Sequence, residues 1–292
     1  MFWGYFFAIL SAIFLSLYII PKKFTKQPPF IYNFFIGVGY FITSVIFVVI
    51  LSIFNKLNEP IFSIYVLFSI LDGVLWVLAS ACFLNCIDTL GLTRASTFKN
   101  LQGPISALLF LFVLNEYKNI NILFIFFALI LIFLSQILFN FNENKQSRLN
   151  TKGILFGLLA SVFFSLNALV RKITAIHNII YIGNIYASFT IVVISFIILI
   201  IKNKVNKNLI EFKTNKYGLL SGVFYFFAST LMVVSFKFIS GAITSSLTKL
   251  SGLITVFIGI VFFKEINFKK HYIRIVLGAF CIILAVVVLF FA

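Results

Sequence analysis

The chain has 292 residues, of which 62% are hydrophobic, 18% aromatic and only 10% charged, and its mean hydropathy is +1.14. Soluble domains carry about 25% charged and roughly 45–50% apolar residues, so this composition excludes a soluble globule. The 23 basic residues against 7 acidic ones give a net charge of +16; in an apolar chain such charges are sorted by loop before they imply a partner, and no nucleic-acid partner is expected.

Apolar runs long enough for the about 20 residues with which a helix crosses ~30 Å of hydrocarbon recur ten times, at 2–21, 30–54, 61–88, 93–114, 119–141, 153–173, 179–201, 217–240, 242–263 and 270–292. The runs are continuous rather than alternating, which predicts helices and not barrel strands. The fold class expected is all-α integral membrane. Segment 1 follows Met1 with no basic region and is as long as a span, so it reads as a retained helix and not as a cleaved signal. It closes on Ser16 and the pair Lys22-Lys23.

Segment 3 carries Asp72, Trp76 and Ser80 at four-residue spacing, on one helical face. Cys82 and Cys86 lie one turn apart in the same segment, but no His or carboxylate cluster completes a metal site around them. They and Cys281 are expected as small buried residues, and neither metal nor cofactor is expected. Segment 4 opens with GLTRASTFKNLQGP, residues 91–104. In it Ser96, Lys99, Gly103 and Ser106 share one face, with Gln102 beside them. Lys99 stands roughly 9 Å into its helix at 1.5 Å per residue, and a lysine there costs a few kcal/mol unless it faces water or a partner. It lines a cavity, pairs with Asp72, or snorkels to the headgroups. Segment 5 runs into a polar stretch with Glu143, Lys145, Gln146 and Arg148.

Segments 6 to 10 repeat segments 1 to 5. A shift of 149 lays Gly4 on Gly153, Ser16 on Ser165, Lys23 on Lys172, Gly73 on Gly222, Ser80 on Ser229, Leu101 on Leu250, Gly103 on Gly252 and Glu116 on Glu265. Shared apolarity does not explain matches at small, polar and charged positions. The expected organisation is therefore two five-helix repeats, 1–141 and 153–292, joined by a linker at 142–152. Because five is odd, the second repeat is inverted in the bilayer, with a substrate site near the midplane between the halves.

The stripe of segment 4 recurs as Ser245, Thr248, Gly252 and Thr255, and the face of segment 3 as Ser221, Tyr225 and Ser229. Lys249, equivalent to Asn100, lies as deep as Lys99 but from the opposite surface. If both lysines point inward they make a cationic cavity suited to a carboxylate or phosphate; the small-residue stripes also suit close helix packing. Trp76 and Tyr225 form a matched aromatic pair able to stack on a sugar, Asp72 is the one deep acid, and Asn167 is an amide that needs a partner in hydrocarbon. The candidate substrate-binding residues are Lys99, Lys249, Trp76, Tyr225, Asp72, Ser96, Gln102, Ser245, Thr248 and Asn167. Arg171-Lys172, the counterpart of Lys22-Lys23, either lines a vestibule or anchors a helix end, the anchor being the favoured reading.

The loops after the odd-numbered segments hold sixteen Lys and Arg, and those after the even-numbered ones hold five. The positive-inside rule then puts the first set in the cytoplasm and both termini outside a plasma or inner membrane. No metalloprotease motif, nucleophile elbow or phosphate-cradling Gly-rich loop is present, so neither an enzyme nor direct ATP drive is expected.

Glu116 in LNE and Glu265 in FKE close segments 4 and 9. With the ten-segment repeat they make the chain resemble the drug/metabolite transporter superfamily in its EamA-type branch. PKK at 21–23 and KNLQGP at 99–104 are more faintly similar to the glucose/rhamnose uptake branch. The resemblance implies a secondary carrier, monomer or homodimer in a lipid bilayer, whose central cavity is bounded mainly by segments 3, 4, 8 and 9 and takes a small polar organic solute. The lysines favour an anionic metabolite; a neutral sugar, or export of a drug or amino acid, is the alternative.

Overall fold

A computed structural model of the chain describes residues 2–119, 121–139, 151–201, 212–263, 268–289 and 291. Residues 142–150 of the linker predicted at 142–152, and Glu265, lie outside the described residues. All regular structure among the described residues is helical. The helices are α1 (Phe2–Leu17), α2 (Pro29–Ile53), α3 (Val66–Leu90), α4 (Leu92–Asn100), α5 (Gln102–Val113), α6 (Ile122–Phe139), α7 (Thr151–Ile176), α8 (Tyr181–Ile201), α9 (Phe212–Ser235), α10 (Gly241–Leu247), α11 (Leu250–Val261) and α12 (Phe268–Leu289). Short 3-10 turns at Ile20–Phe24 and Glu116–Asn119 extend α1 and follow α5.

Eight helical stretches among the described residues are long and apolar enough to cross a bilayer, against the ten expected. The difference falls on segments 4 and 5, which contribute the shorter apolar helices Gln102–Val113 and Ile122–Ser135. Segment 4 is broken at Leu101. Pro104 explains the break, because it has no N–H to return to the carbonyl of Asn100. Segment 9 is interrupted at the equivalent place, between Leu247 and Leu250, without a proline. There Ser245 Oγ donates to Ala242 O at 3.1 Å and Thr248 Oγ1 to Ser245 O at 2.7 Å, and hydroxyls bonding back to their own helix bend it.

The helices interleave. α1 packs on α9, α10 and α11, while α7 packs on α3, α4 and α5; α2 packs on α9, and α8 on α3. α2 meets α8, and α6 lies against α12. Side chains on the outer faces, among them Phe112, Ile130, Phe133, Leu155, Ile197 and Phe280, are large, apolar and exposed. The interior instead collects Ser, Thr, Asn, Lys, Arg and Asp. In water such a surface would aggregate; in lipid it is matched to its solvent, which leaves the polar groups to find one another inside.

Candidate functional site

At the centre of the molecule α1, α4, α5, α7, α9 and the break before α11 surround a cavity of about 20 Å³, room for roughly one water. Lys99, Gln102, Asn167, Arg171, Tyr225, Ser229 and Thr248 supply its polar wall, and Leu15, Phe164 and Met232 much of the rest. α3 stands behind this wall, so the expectation of a cavity bounded by segments 3, 4, 8 and 9 is replaced by one in which segments 1 and 6 take the place of segment 3.

Arg171 organises the site. It is 3% exposed, five residues from the end of α7 and roughly 7.5 Å below it. Its Nε donates to Asp72 Oδ1 at 2.9 Å, and its Nη1 donates to Ser229 Oγ. Its guanidinium carbon lies 5.4 Å from the centre of the Tyr225 ring. Asn167, one turn earlier on α7, donates from Nδ2 to both the carbonyl and Oδ1 of Asp72. Ser229 Oγ also lies 3.1 Å from Tyr40 Oη, which donates to Asn184 Oδ1 at 2.6 Å. Reading Arg171 as an end anchor is therefore corrected: α7 continues past it to Ile176 and buries the guanidinium at the centre. The signal available in the sequence was depth, since the helix start fixes how far along the bilayer a residue lies.

Lys99 does not pair with Asp72, as one reading of it supposed, because Arg171 already occupies that carboxylate. It donates instead to Tyr18 Oη at 2.8 Å. Its ammonium sits over the rings of Tyr18, Phe83 and Phe164 at 4.5, 4.9 and 5.1 Å, a cage of aromatic faces that attracts a cation without neutralising it. Lys249 is buried but off the cavity wall. Its methylenes cover Gly103, where a Cβ would sit 2.6 Å from Lys249 Cγ, so the glycine makes the space in which the lysine lies.

Trp76 and Tyr225 pack against each other with tilted rings, their centres 5.0 Å apart at 51°. Tyr225 reaches the cavity and Trp76 stands behind it, its Nε1 buried with no acceptor among the described residues. Gln102 donates to Phe164 O at 3.1 Å, and Thr248 is on the wall. Ser245 is buried beyond the wall, and the side chain of Ser96 lies outside the described residues.

The described acids other than Asp72 are committed away from the cavity. Glu59 accepts from the N–H groups of Tyr181 and Ile182 at 2.7 and 2.9 Å, opening α8. Asp88 is 3.2 Å from Lys22. Glu116 accepts from Gly241 and Ala242 N–H at 2.9 and 3.1 Å and lies 3.4 Å from Lys172, which donates to Phe236 O at 2.8 Å. Lys99, Lys249 and Arg171 thus face a single described carboxylate.

No curated protein sequence matches the chain. Its fold is shared with solved structures: one, described in words only as "Crystal structure of protein", superposes with a TM-score of 0.71 over 98% of this chain and 96% of its own, at 10% identity. At that identity the likeness is one of fold. A family model described as "Sugar transport protein" matches residues 10–292, which takes in every side chain of the cavity wall, and the chain belongs to that family of membrane transporters.

Proposed function

We propose that the chain is a secondary-active carrier of a small anionic organic metabolite, working by alternating access around the central cavity. The carrying observation is the charge of that site, where the cations Lys99 and Arg171 line the wall, Lys249 lies close by and only Asp72 opposes them. Such an excess is costly in hydrocarbon unless an anion visits it. The family match favours a second reading, a neutral sugar bound by the amides and hydroxyls of the same wall.

Ten spans in two inverted repeats, 1–141 and 153–292, fit this reading, as does placement in the wider drug/metabolite transporter superfamily in its EamA-type branch. Support comes from interactions that recur at a shift of 149. Ser16 Oγ donates to Ser251 O at 2.9 Å, and Ser165 Oγ to Gln102 O at 3.1 Å. Gly4 lies against Phe238 and Ile239 as Gly153 lies against Thr89 and Leu90. The orientation that goes with it is an inner or plasma membrane with the basic loops cytoplasmic and both termini outside.

Uptake by proteoliposomes of a panel of radiolabelled carboxylates, phosphorylated sugars and neutral sugars tests the substrate reading. Saturable uptake of an anion, absent for glucose, is expected; saturable glucose uptake with no anion carried would replace it with the second reading.

A further inference from the structure

Resting on the anion-carrier reading above, we infer that the transported anion is a polyhydroxylated carboxylic acid, a sugar acid, and that Arg171 is the residue that binds its carboxylate. The Arg171 guanidinium carries five N–H groups on three nitrogens; Nε donates to Asp72 and Nη1 to Ser229. Its Nη2 is buried with no acceptor among the described residues, and the side chain lines the cavity. A buried guanidinium N–H without an acceptor is costly, and a carboxylate oxygen is the acceptor that a guanidinium fork fits best.

Lys99 is less suited to make that contact, because its ammonium is already held by Tyr18 Oη and three ring faces. It adds to the positive potential of the site without offering an open fork. The remaining wall asks for hydroxyl groups. Asn167 spends its Nδ2 on Asp72 and Gln102 one N–H of its Nε2 on Phe164 O, while the carbonyl oxygen of neither amide receives a donor among the described residues, which leaves both able to accept from a ligand. An amide oxygen accepts from a hydroxyl and repels a carboxylate. The wall therefore pairs a cationic donor with neutral acceptors, and one solute that satisfies both carries a carboxylate and several hydroxyls. With about 20 Å³ open, the site here is closed to a whole solute, which enters when the helices around it part.

The test is uptake by proteoliposomes of glucuronate and gluconate beside glucose and hexanoate, which remove the charge and the hydroxyls in turn. The expected result is saturable uptake of the sugar acids, at least tenfold better than of either control. Arg171→Gln alone risks misfolding by stranding Asp72, so the working variant is Asp72→Asn/Arg171→Gln, with its fold checked by thermal unfolding. A folded double variant should lose the preference for glucuronate over glucose by tenfold or more. Sugar-acid uptake unchanged in the folded double variant would overturn the role of Arg171 and leave an anion carrier standing. Equal uptake of hexanoate and glucuronate would overturn the sugar-acid class alone. Uptake of glucose with no carboxylate carried would overturn both the inference and the anionic reading beneath it.

Discussion

Asp72 and Arg171 each make the burial of the other tolerable, and this reciprocity is measurable. Removing one partner of a buried pair strands the other charge at about 3–5 kcal/mol, whereas neutralising both leaves polar groups that neighbouring amides and hydroxyls satisfy. Asp72→Asn and Arg171→Gln should therefore each lower the thermal midpoint more than the double variant does, a coupling that a cycle of the four proteins in one detergent reads directly. Additive losses would mean that the two groups do not depend on each other. Lys99 gives the opposite expectation, since its contacts are an aromatic cage and a tyrosine hydroxyl and none of them is an anion. Lys99→Met keeps the methylenes among the rings and removes a buried charge, so stability should hold or rise while apparent affinity for the anion falls at least tenfold. A large loss of stability with unchanged transport would assign Lys99 to structure alone.

Among the elements, the short helix α10, like α8 with Glu59, starts on the carboxylate of a distant residue. Glu116 holds its first N–H groups and lies against Lys172, joining the end of α5 to α7 and α10. Glu116→Ala removes an N-terminal cap, which costs about 0.5–2 kcal/mol, and takes from Lys172 its carboxylate partner as well. The loss of thermal stability should accordingly lie at or above the top of that range, with Glu116→Gln recovering part of it. The element pattern was legible from sequence wherever it depends on local chemistry: the helical apolar runs, eight of which are long enough to span, and the small residues at Gly4 and Gly153. A Cβ at these two would lie 2.7 Å from Ile239 Cγ2 and 2.6 Å from Thr89 Oγ1. Gly4→Val and Gly153→Val should both destabilise, by roughly 1–3 kcal/mol each for overpacking. The breaks within segments 4 and 9 were less legible, because a polar run opening a helix also fits a continuous cavity-lining face. Pairing partners were not legible at all. Asp72 and Arg171 are 99 residues apart, and nothing local distinguishes Arg171 from Lys22, its repeat equivalent, which lies by Asp88 instead.

For the molecule as a whole, interleaving decides what can move. α1 leans on α9, α10 and α11, and α7 on α3, α4 and α5, so each half of the sequence lends its first helix to the other. Under the proposed alternating access, the bodies that rock are mixtures of both halves, and the cavity wall, with residues from α4, α7 and α9 and at position 248, is where they would meet. Ion pairs at Lys22–Asp88 and Lys172–Glu116 stand toward opposite ends of the helices, with a space of about 20 Å³ at the centre. Cysteines at 229 and 248, introduced after Cys82, Cys86 and Cys281 are replaced, would report on access to that centre. A carrier exposes its site to one side at a time, so a charged thiol reagent added from one face should label Ser229→Cys and Thr248→Cys slowly. Transported solute should change the rate by shifting the population of open states. An open channel would instead label rapidly from both faces at once, with solute acting only by blocking. Rapid labelling from both faces in the same preparation would therefore remove alternating access while leaving the cationic site intact. Slow, side-dependent labelling that solute alters would tie the site to the rocking of the two interleaved bodies.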